Sequence, residues 1–199
     1  RLMASDLVLV ANAADATVST FALDAAGQRL EPLATSAVGR GCSTFVVDEE
    51  RDIVYAATKG DTDGHGQGVD SFRLDRTTGA LTPLGHVDGT GYHYLALAHG
   101  GRVLAGAAYH SGEATTWVLD GEGGISDPVA EVAWRNAHAV ATRAAHLYVV
   151  SLGEDLLAQY LLGDDGRLTP LDPPTLPPPP RRRPRPLVPR RAGTPGYLV

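Results

Sequence analysis

The sequence predicts an all-β protein, a β-propeller of about four four-stranded blades, and three observations lead to this fold class. Short apolar runs recur along the chain, a motif centred on one aromatic residue repeats with them, and no segment shows the periodicity of an amphipathic helix. The aromatic residue is in turn Phe21, Phe72, Trp117 and Tyr160, so the spacings are 51, 45 and 43 residues. Four antiparallel strands repeated at about this period are typical of propeller blades.

The first two strands of each unit are predicted from short apolar runs. The runs at 7–11, 53–57, 103–107 and 147–150 are too short for helices and are bounded by turn residues, which favours buried strands. Another strand precedes three of these runs, at 45–48, 94–97 and 138–141.

The third strand carries the aromatic residue and leads through a turn to an outer strand. The second unit is the clearest, because residues 69–74 alternate between apolar and polar side chains before Gly79 and the phrase Leu-Thr-Pro-Leu at 81–84. The equivalent segments are 17–33, a weaker 114–125, and 156–171. Proline fits an outer strand, whose free edge needs no N–H donor. A β-sandwich is the alternative, but a sandwich has no reason to repeat this motif at a fixed period.

Charge divides the chain into two parts. Residues 173–199 contain six of the 17 basic residues, ten of the 14 prolines and no acidic residue. Residues 1–172 therefore hold 11 basic and 23 acidic groups, and we predict that they form the partial propeller. A disordered arm and a polyproline-II ligand of an adaptor domain are two interpretations of the Pro/Arg-rich tail at 173–199.

Composition and motifs exclude several classes of protein. No run approaches the roughly 18 apolar residues of a membrane span, and the acidic body lacks the basic face of a nucleic-acid-binding protein. The single cysteine, Cys42, forms neither an internal disulfide nor a cysteine-based zinc site. No signal peptide is visible, so a cytoplasmic location is expected. Serine-hydrolase, nucleotide-binding and zincin motifs are absent from the sequence.

Five phrases in order resemble the lactonase family of seven-bladed β-propellers, which includes 6-phosphogluconolactonases and carboxymuconate-cyclizing enzymes. The phrases are TVSTFALDAAGQRLEPL, GVDSFRLDRTTGALTPLG, AAYHSG, NAHAV and LYVVSLGEDLLAQYLLGDDGRLTPL. The resemblance covers residues 6–172 and implies that the four predicted blades derive from a ring of seven. It also implies a site at the propeller axis, built from strand ends, that needs no metal; no cofactor is expected.

The resemblance supplies two candidate catalytic residues. His138, in the phrase His-Ala-Val, matches a family histidine and is the candidate base, because lactone hydrolysis needs a base to activate water. Arg185, in Arg-Pro-Arg-Pro, best matches a family Gly-Pro-Arg-His motif but lacks its Gly and His. It is the candidate cation for the carbonyl oxygen or for a substrate phosphate. The structural alternatives are a histidine packed at a strand start and a solvated arginine of the tail.

Three further residues are candidate substrate contacts. Tyr109 and His110 lie between two predicted strands of the third unit, where polar side chains can face the axis; a simple strand-end loop is the alternative. Asp155 follows Gly153 and either orients His138 or closes a turn. The family has an Asp at the position of Ser151, so this chain departs from the family motif there.

The resemblance implies hydrolysis of a phosphorylated sugar lactone, as in 6-phosphogluconolactonase. A carboxymuconate-lactonizing isomerase and a non-catalytic propeller scaffold are the alternatives. Residues 187–188 and 197–199 stand where a fifth blade is expected to start, and the Pro and Arg between them are typical of out-of-frame reading in a GC-rich gene. We therefore also expect truncation, with loss of activity as one consequence and self-association through exposed terminal blades as another.

Overall fold

The computed structural model describes residues 6–24, 26–42, 44–60 and 66–177, together with the backbone of residues 187–188 and 197–198. The regular secondary structure of these residues consists of β-strands alone. They form one three-stranded sheet, three four-stranded sheets and one two-stranded hairpin. The predicted all-β class and the division into four units are thereby confirmed.

Each sheet holds consecutive strands. The first sheet contains β1 (Asp6–Asn12), β2 (Thr17–Leu23) and β3 (Leu30–Ala37). The second contains β4 (Thr44–Asp48), β5 (Ile53–Lys59), β6 (Gln67–Leu74) and β7 (Leu81–Asp88). The third contains β8 (Tyr94–Ala98), β9 (Val103–Ala108), β10 (Glu113–Val118) and β11 (Ala130–Ala133). The fourth contains β12 (Ala137–Arg143), β13 (His146–Ser151), β14 (Leu156–Leu162) and β15 (Leu168–Leu176), and the hairpin contains β16 (Leu187–Val188) and β17 (Tyr197–Leu198).

The sheets are antiparallel meanders arranged like propeller blades. Within each sheet the strands pair in chain order. The first strands of successive four-stranded sheets lie side by side, because β8 contacts both β4 and β12, and β12 also contacts β16. These strands therefore line the axis. The outer strands that contain Pro32, Pro83 and Pro170 are edge strands, as their sequence predicts.

The third blade departs from the predicted outer strand. That strand is β11, several residues later than the phrase at 124–125. Ile125 instead forms a bridge with Leu119, and the Asp120 carboxylate accepts the N–H groups of Glu122 and Gly124. An aspartate that caps a turn in this way lengthens the connection, which explains the weak repeat signal of this unit.

The apolar core is divided among the interfaces between blades. One cluster joins the first and second blades around Val54 and Phe72, a second joins the second and third around Trp117, and a third joins the third and fourth around Leu147 and Tyr160. The strands next to the axial strands are the most buried, as predicted: residues 53–58 of β5 and all of β9 are buried. By contrast, no residue of β1 is buried.

A repeated hydrogen bond also links neighbouring blades. The Ser71 hydroxyl donates to the Gly123 carbonyl at 2.5 Å, and the Thr116 hydroxyl donates to the Gly166 carbonyl at 2.7 Å. Each hydroxyl residue directly precedes the aromatic residue of its unit, and each glycine lies in the turn before the outer strand of the next blade. Thr20 holds the same place in the first unit, but its buried hydroxyl has no partner among the described residues.

Replacement of Thr116 by valine is expected to lower the free energy of unfolding by about 1–3 kcal/mol, because the buried Gly166 carbonyl would lose its donor. Thr20→Val is the matched control. It removes a buried hydroxyl that has no described partner, so we expect a change within about 0.5 kcal/mol or a small gain. Urea unfolding followed by tryptophan fluorescence measures both. Equal destabilisation by the two substitutions would contradict the proposed link.

The Pro/Arg-rich tail predicted at 173–199 starts inside the last strand of the fourth blade. β15 continues to Leu176, so the boundary predicted at residue 172 falls inside it, and Pro173 and Pro174 belong to its exposed edge. Farther on, β16 pairs with β17 in antiparallel register. These two short strands are the segments for which the sequence predicts the start of a fifth blade.

Candidate active site

One end of the axis collects residues from several blades. The axial strands β8 and β12 begin at this end. Their antiparallel neighbours β9 and β13 finish at the same end, because the register pairs Tyr94 with Ala107 and Ala137 with Ser151. Residues just before an axial strand and just after its neighbour are therefore brought together here.

Four rings meet at this end and form what we call the ring cluster: His93, Tyr109, His110 and His138. The Tyr109 ring contacts the other three, with centroid distances of 6.1 Å to His93, 5.3 Å to His110 and 6.2 Å to His138. The His93 and His110 centroids are 5.1 Å apart. The structure thus brings together three residues that the sequence singled out, His138, Tyr109 and His110, and adds His93.

His138 occupies an irregular position in its strand. The register between β12 and β13 shifts between Ala137 and Ala139, so His138 is the extra residue of a β-bulge. Bulges redirect a side chain and are frequent beside active sites. The His138 Nδ1 atom is buried and has no hydrogen-bond partner among the described residues. A purely structural histidine would be expected to pair this nitrogen, because an unpaired buried polar atom costs about 1–3 kcal/mol.

The Tyr109 backbone is held from two blades. Its N–H donates to Nδ1 of His93 at 3.3 Å, and its carbonyl accepts from Nδ2 of Asn136 at 3.3 Å. His93 precedes β8 of the same blade, whereas Asn136 precedes β12 of the next one. The sequence analysis missed both residues; the only signal was their position directly before an apolar axial strand.

Three basic side chains lie near His93. Burial lowers the pKa of His93, and the nearby basic groups of His110, Lys59 and His138 lower it further, against a smaller opposite effect of the Gly91 carbonyl. Lys59 is the single lysine of the chain. In a protein with a net charge of −6, this end of the axis is therefore suited to an anionic group.

Asp155, another predicted site residue, lies outside the ring cluster. Asp155 is exposed in the turn between β13 and β14, where its φ of 54° is left-handed, and within the described part of the chain no hydrogen bond joins it to His138. The Ser151 hydroxyl closes this turn, since it donates to the Arg135 carbonyl at 2.7 Å and accepts the Glu154 N–H at 3.2 Å. Arg185 lies outside the described residues, so its role stays a prediction.

A second polar cluster crosses the strands of the second blade. The buried carboxylate of Asp70 accepts the Thr58 hydroxyl at 2.5 Å and lies 2.7 Å from Nδ1 of His86. The other ring nitrogen of His86 lies 3.1 Å from Asp88. Burial lowers the pKa of His86, but hydrogen bonds to Asp70 and Asp88 and the charges of these two carboxylates outweigh it, so the pKa is raised above its ordinary value. This cluster links β5, β6 and β7.

Because the folded-state pKa of His86 is raised, its protonated form stabilises the fold below the unfolded pKa of about 6.5, and this contribution decreases as pH rises through the folded value. We expect the difference in Tm between the wild type and His86→Gln to shrink from about pH 6 to about pH 9. Thermal melts in buffers of equal ionic strength measure it. A difference that stays constant or grows with pH would contradict this assignment.

No group of three or more His, Cys, Asp or Glu residues in the described part of the chain is arranged to hold a metal ion. The same residues include no helix that is long and apolar enough to cross a membrane.

Comparison with known proteins identifies relatives by sequence. The family model described as "Lactonase, 7-bladed beta-propeller" matches residues 8–199. The 6-phosphogluconolactonase of Bacillus subtilis (strain 168) is 29% identical over 169 residues, which cover 76% of this chain and 47% of the Bacillus protein. The chain therefore spans about half the length of this curated relative.

Solved structures show the same fold. A putative 6-phosphogluconolactonase from Bacteroides fragilis superposes with a TM-score of 0.82 at 19% identity, over 98% of this chain and 61% of that protein. A protein described as the periplasmic gluconolactonase of Pseudomonas aeruginosa superposes with a TM-score of 0.77 at 21% identity, over 92% of this chain and 57% of that protein. The predicted propeller architecture is thereby confirmed.

Proposed function

We propose, since the chain belongs to the lactonase family of seven-bladed β-propellers, that it hydrolyses a sugar lactone at the ring cluster. The substrate we favour is 6-phosphogluconolactone, which would be opened to 6-phosphogluconate. The observation that carries the proposal is His138: it lies in a β-bulge, its buried Nδ1 is unpaired among the described residues, and its ring contacts Tyr109.

In the proposed reaction His138 acts as the general base. It takes a proton from a water molecule whose oxygen attacks the lactone carbonyl carbon and forms a tetrahedral intermediate. The ring C–O bond then breaks, and the leaving oxygen receives the proton back from His138, so that one lactone and one water give one hydroxy acid. Tyr109 and His110 are proposed substrate contacts, Asp155 a contact at the rim, and Arg185 the cation for the oxyanion or the phosphate.

The basic surroundings of His93 support an anionic substrate. Lys59, His110 and His138 all act on His93, and such groups favour a phosphate or carboxylate over a neutral sugar. A carboxymuconate-lactonizing isomerase would also take an anion, so charge alone does not separate these two activities. A non-catalytic scaffold would not require a basic axial end.

The experiment compares three substrates at equal concentration: 6-phosphogluconolactone, unphosphorylated gluconolactone and carboxymuconate. Acid release at constant pH follows hydrolysis, and ultraviolet absorbance follows the isomerase reaction. Faster hydrolysis of the phosphorylated lactone, above the spontaneous rate measured with heat-inactivated protein, would support the proposal. Turnover of carboxymuconate alone would favour the isomerase, and absence of all turnover would favour the scaffold.

The cytoplasmic location expected from the sequence remains a proposal, and the Pseudomonas relative is described as periplasmic.

Self-association remains a proposal as well, and it is supported by exposed apolar side chains of the first and fourth sheets, among them Val10 and Leu30 of the first and Leu161 and Leu176 of the fourth. We expect the apparent mass of the protein to rise with concentration in light scattering coupled to gel filtration. A constant monomer mass at all concentrations would contradict this expectation.

A further inference from the structure

Tyr109 is the one ring that contacts all the other members of the ring cluster, so its placement sets the geometry of the cluster. It lies in the turn after β9, and turns at strand ends are less constrained than the strands that they join. Here each polar group of its backbone is bonded to a side chain. Asn136 of the next blade binds the carbonyl, and His93 of the same blade binds the N–H.

The hydrogen bond between Tyr109 and His93 indicates which nitrogen of the imidazole carries the proton. Nδ1 of His93 accepts the Tyr109 N–H, so Nδ1 carries no proton and the ring is neutral with its proton on Nε2. The rings of Tyr109 and His110 both pack edge-on against His93 at interplanar angles of 65° and 69°. A second proton on His93 would remove the acceptor and break the bond.

We propose that His93 is a positioning residue of the active site: its neutral imidazole anchors the Tyr109 amide and thereby holds the Tyr109 ring against His138. The expected effect of this anchoring on catalysis rests on the proposed lactonase function. His93 itself needs no contact with the substrate, because it acts through Tyr109.

The surroundings of His93 keep it in the accepting state at neutral pH. The titratable groups that act on it are Tyr109 and His110 from the turn after β9, Lys59 from the end of β5, and His138 from β12. Burial and the nearby basic groups lower the pKa of His93 more than the Gly91 carbonyl raises it, so the bond to Tyr109 persists at neutral pH and is lost only in acid.

The first experiment observes the hydrogen bond itself and needs no enzymatic activity. In an amide NMR titration, the Tyr109 N–H signal of the wild-type protein is expected to shift as His93 gains its proton in acid. In His93→Asn, whose side-chain oxygen lies near the position of Nδ1 and accepts without titrating, the signal should stay near its neutral-pH position throughout. In His93→Phe, which keeps a ring but has no acceptor, it should be displaced at every pH.

The Tyr109 N–H signal shows whether His93 anchors the Tyr109 amide. A signal that is insensitive to acid in the wild type, or equal in the wild type and His93→Phe, would overturn the proposal. An acid shift that is equally large in the wild type and His93→Asn would also overturn it, because the shift would then come from another group near Tyr109. This comparison decides the proposal even where His93→Phe fails to fold.

The second experiment measures kcat/KM for lactone hydrolysis against pH. We expect His93→Phe to lower kcat/KM about tenfold or more, because a displaced contact group misplaces the substrate. His93→Asn should restore most of this loss and should remove the part of the acid limb that His93 causes. Unchanged kcat/KM in His93→Phe, together with a displaced Tyr109 signal, would overturn the catalytic consequence. Absence of lactone turnover in the wild type would instead refute the proposed function. The NMR titration would then be the test of whether His93 anchors Tyr109.

Discussion

Replacement of His138 by alanine is expected to lower kcat/KM for lactone hydrolysis by about 10²- to 10⁴-fold, the usual contribution of a general base. The fold should survive, because His138 is the extra residue of a bulge rather than a member of the core. Removal of its buried, unpaired Nδ1 should if anything relieve a cost. Steady-state kinetics and a thermal melt of the same sample measure both effects.

The matched control for His138→Ala is His146→Ala. His146 belongs to the same pair of strands but lies at the opposite end, where it pairs with Arg143 and its ring stacks on Tyr148. It should retain wild-type kcat/KM. A loss that is equal in the two variants, or no loss in His138→Ala, would refute the assignment of His138 as the base and would favour a scaffold role.

The sequence predicted the blade architecture well because its signals are local. A buried strand such as β5 needs apolar residues on both faces, and a third strand such as β6 needs an aromatic residue where it meets the preceding blade, so both requirements recur once per blade. The prediction failed in detail at the third outer strand. There the turn capped by Asp120 delays pairing until β11, and no motif in the sequence indicates the extra length.

The site was only partly predictable, because it is assembled between blades. His138, Tyr109 and His110 were singled out with the help of the family resemblance, and the structure brings them together. His93 was missed because its partner is a backbone N–H 16 residues away, a contact that leaves no pattern in side-chain types. Asp155 shows the converse: an acidic residue in a family motif turned out to lie exposed in a turn.

Replacement of Trp117 by alanine is expected to lower the free energy of unfolding by about 3–5 kcal/mol, as large-to-small changes of a fully buried aromatic residue do. Trp117 is 0% exposed and fills the interface between the second and third blades. Its ring stands edge-on to Tyr92 with centroids 4.9 Å apart, and a Cβ at Gly106 would lie 3.1 Å from the ring. Since domains are stable by about 5–15 kcal/mol, this loss is a large fraction of the total.

The Trp117→Phe variant distinguishes the energetic effect of the cavity from the effect of losing the indole N–H group. The Trp117 Nε1 atom is buried without a partner among the described residues, so phenylalanine gives up volume but no described hydrogen bond. We expect it to cost well under half as much as alanine. The fluorescence of Trp134, the other tryptophan of the chain, follows urea unfolding in both variants from the interface of the third and fourth blades. Equal costs for alanine and phenylalanine would show that packing volume is not what Trp117 contributes.

The effect of Trp117→Ala should also reach the ring cluster. Tyr92, the edge-on partner of Trp117, directly precedes His93 in the chain, and β9, which pairs with the strand of Trp117, leads into Tyr109. A cavity at Trp117 therefore loosens both ends of the hydrogen bond between His93 and Tyr109. We expect a displaced Tyr109 amide signal in Trp117→Ala under conditions in which the protein is still folded, and little displacement in Trp117→Phe. An unmoved signal in a folded Trp117→Ala protein would mean that the blade interface stabilises the fold without supporting the site.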